Sequence, residues 1–203
     1  MEKLIENKIL RVFTLNENLK FNEIEKLVGE RSNKLAYYLN LLVKKGILEK
    51  NNENYKLSET AENLIPYFSE KTSPLPIILI RIGDNKKCFL YPREKRPFKN
   101  FLSLPGGRLL VGEEIKEAVK RIMKEKYNIN AKLSRIISVS HEFVRRNKKN
   151  MHSFILILVE ATLKDKIKLE DVNKNRKRII NSDYKLITSK DKGINIKTFY
   201  TNS

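Results

Sequence analysis

Apolar residues in the first seventy positions recur every three or four residues, in segments separated by short polar stretches. This spacing predicts amphipathic helices, each with one buried stripe. Two short apolar segments follow, separated by a polar turn, and they predict a β-hairpin that precedes a last helix. In chain order, the predicted elements are helices at Met1–Leu15, Asn22–Val28 and Asn33–Lys45, strands at Ile47–Lys50 and Tyr55–Leu57, and a helix from Glu59 to about Ile65. Asn16–Lys20 is predicted as a loop, and Ser32 and Ser58 are predicted to cap the helices that they precede.

The pattern changes after Ser69–Pro76, a stretch rich in Pro and Ser that predicts a domain boundary. Beyond it the sequence predicts a hairpin and later strands around one amphipathic helix. The predicted strands are Ile77–Ile82, Cys88–Tyr91, Leu133–Val139 and Ser153–Ala161, with Arg145–Asn150 in a loop. The helix is predicted from Glu113 or Glu114 to Tyr127, and Asn128 is suited to close it in the left-handed conformation. The chain is therefore predicted to be an α+β protein with two domains, residues 1–70 and 71–203.

The order of the N-terminal elements, three helices, a two-stranded wing and a helix, predicts a winged helix-turn-helix. The runs Leu35–Lys50 and Tyr55–Ala61 resemble regulators of the arsenic-repressor and multiple-antibiotic-resistance type from archaea and bacteria. In this arrangement the third helix enters the major groove of double-stranded DNA, and paired helices imply a homodimer. The candidate DNA contacts are Arg31, Ser32, Asn33, Lys34, Tyr37, Asn40, Lys44, Lys50 and Asn52. Two alternatives remain open, a docking module for another protein and a polar face that only confers solubility.

A glycine turn leads into the amphipathic helix of the second half, at Pro105-Gly106-Gly107. A glycine loop before a helix is suited to bind phosphate groups. The stretch resembles the Nudix signature, G-x5-E-x7-R-E-U-x-E-E-x-G-U with U aliphatic, over residues 107–129. The residues that match are Gly107, Glu113, Arg121, Met123, Glu125 and Ile129. Over about residues 75–190, the resemblance implies an α/β/α sandwich with a mixed sheet, in which Asp183–Ser189 is the closing strand.

Three positions depart from the Nudix signature. Ile122 and Lys126 stand where the family has glutamates, and Asn128 stands where it has glycine. The resemblance implies that the glutamates bind Mg²⁺ against a diphosphate, and hard cations need clustered oxygen ligands. The sequence therefore predicts no catalytic residues, no metal and no cofactor. Two interpretations of Lys126 remain open: it is a solvated surface charge, or its ammonium replaces the charge of Mg²⁺.

Candidate ligand contacts come from the glycine turn and from cations near it. They are Arg81, Arg93, Gly106, Gly107, Arg108, Glu125 and Lys126. Each arginine is able to grip a phosphate with two donors. Arg121 is expected to orient Glu113 or Glu125. If the domain is instead an active hydrolase, Mg²⁺ would bind Glu113 and Glu125, together with a carboxylate from elsewhere such as Glu142 or Glu160.

The formal net charge of +18 favours a polyanionic partner. Residues 1–70 carry 11 Lys and Arg against 11 Asp and Glu, whereas residues 71–203 carry 31 against 13. The whole excess thus lies in the second half. An alternative explanation for it, besides an anionic partner, is a proteome rich in Lys and Ile. The single cysteine, Cys88, excludes a disulfide framework and is expected in the core. The chain shows no signal peptide and no apolar run that would span a membrane, which favours a cytoplasmic location.

These observations support the hypothesis of a transcriptional regulator whose Nudix domain senses a nucleotide or a phosphorylated metabolite. Bacterial regulators with a Nudix sensor domain are similar in logic, although here the winged helix comes first. Two alternatives remain: an active hydrolase of nucleoside diphosphate derivatives, and a Nudix half that binds nucleic acid directly through its basic surface. The ligand, the operator and the direction of regulation are not specified by the sequence.

Overall fold

A computed structural model of the chain describes residues 2–68, 73–96, 98–164, 166–190 and 193–194. The chain divides into two compact units, residues 1–72 and 73–203. Of the predicted boundary stretch, Ser69–Thr72 lies outside the described residues, while Leu75 and Pro76 begin a strand. Within the described part of the chain, no helix combines the length and apolar character that crossing a membrane requires.

The N-terminal unit consists of short helices around a small antiparallel sheet. Its elements are α1 (Glu2–Val12), β1 (Leu19–Lys20), α2 (Phe21–Val28), α3 (Ser32–Lys44), β2 (Leu48–Asn51), β3 (Asn54–Leu57) and α4 (Glu59–Glu62), followed by a 3-10 turn at Ile65–Tyr67. The strand order is β1-β3-β2. Residues at helical spacing, including Ile9, Ile24, Leu35 and Leu39, fill the core and are fully buried. The predicted order of helices and hairpin is thus observed.

Three local predictions in this unit are wrong. Leu19–Lys20 is not a loop but pairs with Tyr55 and Asn54 of β3. Ser32 is the first residue of α3 rather than its cap, because Arg31 occupies the capping position and the Ser32 hydroxyl donates to Glu25. The last helix ends at Glu62, before the 3-10 turn that contains Pro66. Ser58 does cap α4, since its Oγ accepts a hydrogen bond from the backbone N–H of Ala61.

The C-terminal unit contains a mixed four-stranded sheet between two helices. Its elements are β4 (Leu75–Arg81), β5 (Lys87–Cys88), β6 (Tyr91–Pro92), β7 (Leu102–Ser103), β8 (Gly106–Arg108), α5 (Ile115–Tyr127), β9 (Ala131–Arg146), β10 (Lys149–Leu163), β11 (Glu170–Asp171) and α6 (Asn181–Thr188). The sheet order is β8-β4-β10-β9, with β4 and β10 parallel and the other pairs antiparallel. Alternate residues of β4 face opposite sides: Ile78 and Ile80 pack in the cluster that contains α5, and Leu79 packs in the cluster that contains α6.

The amphipathic helix is confirmed, because α5 spans Ile115–Tyr127 and Asn128 closes it in the left-handed conformation at φ 53°. The hairpin predicted from Ile77–Ile82 and Cys88–Tyr91 forms only near its turn, where the backbone N–H of Phe89 donates to the backbone oxygen of Ile82 at 2.9 Å. One bridge joins Gly83 to Cys88, while β5 pairs with β11 and β6 pairs with β7. Cys88 is fully buried, as expected, and its burial raises the pKa of the thiol to about 11.

Two predictions about the later elements are also wrong. Asp183–Ser189 is not a strand, because Asn181–Thr188 forms α6 and buries Asp183, Leu186 and Ile187 at helical spacing. The loop predicted at Arg145–Asn150 is reduced to a tight turn at Asn147 and Lys148 between two long strands. These strands, β9 and β10, pair along nearly their whole length.

Candidate functional site

The glycine turn passes close to two other parts of the C-terminal unit. Gly106 and Gly107 in β8 pair with Leu79 and Ile78 of β4. A side chain at Gly106 would place its Cβ 2.8 Å from the backbone oxygen of Ile78, and one at Gly107 would meet Ile122 Cγ1 at 2.9 Å. Glycine is therefore required at both positions by close approach, because any Cβ would push β8 away from β4 or from α5.

Glu113 and Arg121 form the best-defined ion pair of the signature. Arg121 Nε and Nη2 donate to the two carboxylate oxygens of Glu113 at 2.6 and 2.9 Å, and Nη2 also donates to the backbone oxygen of Arg108 at 2.9 Å. The hydrogen bond from Arg121 holds the pKa of Glu113 below its usual value. Glu113 also accepts a hydrogen bond from the backbone N–H of Leu110. The pair therefore ties the loop before α5 to the helix.

The positions on α5 that carry glutamates in the Nudix signature point in different directions. Ile122 is 0% exposed and packs beneath Gly107 in the core. The Glu125 carboxylate is exposed and lies 3.5 Å from Arg121 Nη1. Lys126 extends over β8, where its ammonium donates to the backbone oxygen of Gly106. Of these three side chains, Ile122 and Lys126 lie against the glycine turn, and the polar one of the two is a cation.

Lys126 is an exposed residue whose ammonium is partly shielded from water beside the turn; this partial burial lowers its pKa, and the neighbouring cations Arg121, Arg93 and Lys95 lower it further. The positive charges of these three residues disfavour the protonated form of Lys126, because like charges repel. A bound anion would relieve this repulsion and stabilise the ammonium. The electrostatics around Lys126 thus favour an anionic ligand.

A cleft of about 650 Å³ opens beside Lys126 in the C-terminal unit. Its cationic residues are Arg93, Lys95, Arg96, Arg108 and Lys126, and its carboxylates are Glu94, Glu142 and Asp183. Tyr91, Phe98, Tyr127 and Phe154 supply ring surfaces, while aliphatic residues of β4 and β10 complete the wall. The volume lies in the range of small-molecule sites. Flat apolar groups and an anion would therefore both find contacts in it.

Asp183 is a buried carboxylate at the edge of this cleft. It accepts hydrogen bonds from the backbone N–H of Leu104 at 2.8 Å and from the Ser103 hydroxyl at 2.9 Å. Burial raises its pKa to about 6, although the two hydrogen bonds oppose the shift. The carboxylate thus ties α6 to the segment that precedes the glycine turn.

The cleft contains five of the seven candidate ligand contacts: Arg93, Gly106, Gly107, Arg108 and Lys126. Arg81 and Glu125 do not line it. Arg81 is buried and donates to Glu160 at 3.1 Å, and Glu160 also accepts from Arg135 at 2.7 Å. Asp183, Tyr91 and Phe98 were not predicted for the site. Asp183 stands at helical spacing with Leu186 and Ile187, but this segment is too short for that spacing to be told from a strand by sequence alone.

Two carboxylates of the N-terminal unit bind side chains of its predicted DNA-binding face. All nine candidates, Arg31, Ser32, Asn33, Lys34, Tyr37, Asn40, Lys44, Lys50 and Asn52, are exposed. Glu25 accepts the Ser32 hydroxyl, and Glu30 accepts Lys34 Nζ at 3.2 Å and Lys8 Nζ at 3.3 Å. Asn33, Tyr37 and Asn40 are neutral residues on the exposed face of α3, and Tyr37 is 62% exposed.

The donor set near the glycine turn does not fit the Mg²⁺ ion that the signature implies. Among the described residues, no group of three or more His, Cys, Asp and Glu side chains is placed to hold a metal ion. Ile122 is apolar, Lys126 is cationic, and Glu113 is engaged by Arg121. Hard cations require several oxygen ligands around one point. A nucleotide in this cleft would meet fixed cations of the protein.

Comparisons with known proteins identify the C-terminal unit. The profile of the NUDIX domain matches residues 73–180. The chain is 32% identical to an ADP-ribose pyrophosphatase of Methanocaldococcus jannaschii over 77 residues, which are 38% of this chain and 46% of that protein. The chain therefore spans less than half the length of this relative.

Two solved structures resemble this chain to different extents. A NUDIX hydrolase from Nitrosomonas europaea superposes with a TM-score of 0.51 at 14% identity, over 63% of this chain and 98% of that one. A UDP-X diphosphatase has a TM-score of 0.45 at 18% identity, over 91% of this chain and 90% of that one. The first of these likenesses supports the fold of the C-terminal unit. With the matched profile over more than half of its residues, the chain belongs to the NUDIX family.

Proposed function

We propose that the NUDIX unit binds a nucleoside diphosphate derivative in the cleft and does not cleave it by Mg²⁺-dependent hydrolysis. The observation that carries this proposal is the Lys126 ammonium, which lies on the glycine turn where the family signature has a metal-binding glutamate. A lysine is a compact point charge that binds phosphate oxygens directly. It thereby supplies positive charge to a diphosphate without a metal ion.

Other residues of the cleft support a nucleotide-like ligand. Arg93 and Arg108 line the same cleft as Lys126, so that two charged phosphates have several cationic partners. Tyr91 and Phe98 offer ring surfaces to a base. The M. jannaschii relative is named for ADP-ribose, which belongs to this class of molecule. ADP-ribose is therefore the first ligand to test.

ADP-ribose is expected to bind the full chain with the same Kd in Mg²⁺ and in EDTA, within about twofold. The physical reason is that fixed cations, rather than a bridging metal ion, hold the diphosphate. Isothermal titration calorimetry in the two buffers measures the difference, and adenosine serves as a control that lacks phosphate. Binding that appears only with Mg²⁺ would overturn the proposal.

A hydrolase of nucleoside diphosphate derivatives is the second candidate. The 32% identity to an ADP-ribose pyrophosphatase favours it, and so does the Glu113–Arg121 pair of the signature, which is intact. Such an enzyme would need Glu125 and a carboxylate of the cleft such as Glu142 to act together. The contacts of the α5 side chains favour the first proposal, because Lys126 lines the cleft whereas Glu125 lies beside Arg121 and does not line it.

We propose further that residues 1–70 form a winged helix-turn-helix that binds double-stranded DNA. The order α1, α2, α3 and the β2–β3 hairpin supports it, and the exposed face of α3 carries Asn33, Tyr37 and Asn40. Asparagine pairs with adenine through two hydrogen bonds in the major groove. With the ligand site in the NUDIX unit, the chain would act as a transcriptional regulator and would bind its operator as a homodimer.

Replacement of Asn40 by alanine is expected to weaken binding to a specific duplex by about 5- to 150-fold, because a good base contact contributes about 1–3 kcal/mol. The probe is a 30-base-pair duplex that the wild-type protein enriches from a random pool, and electrophoretic mobility shift measures binding. Asn63→Ala is the matched control, since Asn63 is exposed at the end of α4. Equal losses in the two variants, or failure to enrich any duplex, would contradict the DNA-binding proposal.

A further inference from the structure

The β9–β10 hairpin extends beyond the strand that flanks it. β4 pairs with β10 only from Phe154 to Glu160, so residues 149–153 have no partner in β4. β9 forms the edge of the four-stranded sheet. The hairpin arm, defined as residues 139–153, therefore carries an exposed face on β9. This face consists of alternate residues, Val139, His141, Phe143 and Arg145.

Two rings on this face lie in contact. The centroids of His141 and Phe143 are 4.1 Å apart, and Phe143 is 46% exposed. His141 Nε2 and Ser153 Oγ share a hydrogen bond of 2.7 Å across the hairpin. This bond fixes the imidazole beside Phe143. The arm thus presents a supported, half-exposed aromatic surface, on which a flat ring is able to stack.

The tip of the arm is strongly basic. Arg145, Arg146, Lys148 and Lys149 lie within five residues, all are exposed, and no acidic residue occurs between Glu142 and Glu160. None of the four forms an ion pair with another residue in the described part of the chain. Arg145 Nε donates to Asn150 Oδ1 at 2.9 Å, which holds this guanidinium at the tip.

The turn residue Lys148 has a backbone conformation that normally favours glycine. Asn147 and Lys148 have φ values of 49° and 62°, the pattern of a two-residue turn in which glycine is the usual second residue. The backbone of Lys148 is strained in this conformation, because its Cβ makes contacts that a glycine would avoid. The turn therefore displays a cation at a position where local geometry alone would favour a residue without a side chain.

The outer edge of β9 is bridged to Ile194 at Ile136, so only the hairpin arm beyond that point is available to a partner. From Val139 to Arg146, this edge carries two arginines, Arg145 and Arg146, and one acidic residue, Glu142. A polyanion has the complementary charge. Exposed rings beside cations favour unpaired bases, since bases stacked within a duplex cannot offer their faces.

We propose that the hairpin arm binds single-stranded nucleic acid, with bases stacked on His141 and Phe143 and phosphates on the cations of the tip. The proposal is independent of the ligand in the cleft and of DNA binding by residues 1–70. It assigns part of the positive charge of the second half of the chain to one defined surface.

Fluorescence anisotropy with fluorescein-labelled dT20, U20 and a 20-base-pair duplex tests the proposal on the full chain. Replacement of Arg145, Arg146, Lys148 and Lys149 by serine is expected to reduce the slope of log K against log salt for single strands by about 3, since each phosphate contact contributes about 0.7. The control replaces four exposed lysines elsewhere in this unit, Lys86, Lys120, Lys174 and Lys177, by serine. The control should leave the slope nearly unchanged.

A second pair of variants tests stacking. Phe143→Ala is expected to weaken single-strand binding by about 5- to 150-fold, because stacking on one base contributes about 1–3 kcal/mol, whereas Phe143→Tyr should retain it. Equal slopes in the arm and control variants, or unchanged binding in Phe143→Ala, would overturn the proposal. The proposal would also be overturned if Phe143→Ala weakened binding to the duplex as much as binding to the single strands. A change of oligomeric state in Phe143→Ala with unchanged anisotropy would instead identify the arm as a subunit contact.

Discussion

Lys126→Glu is expected to weaken ADP-ribose binding by about 100-fold or more. The ammonium lies on the glycine turn and lines the cleft. Loss of a hydrogen bond to a charged group costs about 1.5–3 kcal/mol, or about 10- to 150-fold in Kd, and the new carboxylate also repels the phosphates. Titration calorimetry in EDTA measures the effect without any contribution from a metal ion.

The matched control for this variant is Lys124→Glu. Lys124 is exposed on the same helix, donates to Asn128 Oδ1 at 2.7 Å and does not line the cleft. Both variants change the net charge equally, so a general loss of electrostatic attraction would affect them alike. Similar affinities in the two variants would show that Lys126 is a solvated surface charge, the other interpretation that its sequence position allows.

Ile122→Glu is expected to lower the free energy of unfolding by about 3 kcal/mol, although it restores the residue of the family signature. Ile122 is 0% exposed and packs against Gly107 and the core of the sheet. Removal of a large buried aliphatic side chain costs about 2–5 kcal/mol, and burial of a carboxylate adds a desolvation cost. Urea denaturation followed by circular dichroism measures the change.

Two control substitutions separate the effect of lost side-chain volume from the effect of the new carboxylate. Ile122→Val should cost only about 0.5–1.5 kcal/mol, because it removes one methylene group. Lys120→Glu introduces the same carboxylate at an exposed position of α5 and should change stability by less than about 0.5 kcal/mol. An Ile122→Glu protein as stable as the valine variant would show that position 122 still accepts a metal-binding carboxylate.

The sequence predicts best those parts of the chain that depend on local spacing. Helix α5 is the clearest case, since its apolar stripe and the left-handed Asn128 specify both its face and its end. The glycine turn is equally local in sequence. Its requirement for glycine, however, comes from Ile78 and Ile122, which approach from other elements. The motif was therefore visible, while the physical reason for it needed the fold.

Pairing between distant segments explains the main failures. Cys88 does bridge to Gly83 within the predicted hairpin, but Lys87–Cys88 also pairs with Glu170–Asp171, which is distant in sequence. Local alternation cannot distinguish these partners. The eight-residue α6 has too few apolar positions for its period to be recognised. As a result, the sequence does not predict Asp183 for the cleft. Arg81 is a separate failure, because its ion pair with Glu160 of β10 joins strands that are distant in sequence.

The most direct measurement follows ADP-ribose by ³¹P nuclear magnetic resonance in the presence of the full chain and Mg²⁺. Our account predicts that the diphosphate resonances broaden or shift on binding and that no monophosphate resonances appear. The Lys126→Glu protein should leave the spectrum of free ADP-ribose unchanged. Conversion of the diphosphate into two monophosphates, at a rate that Glu125→Gln abolishes, would contradict the account and identify the chain as an active hydrolase.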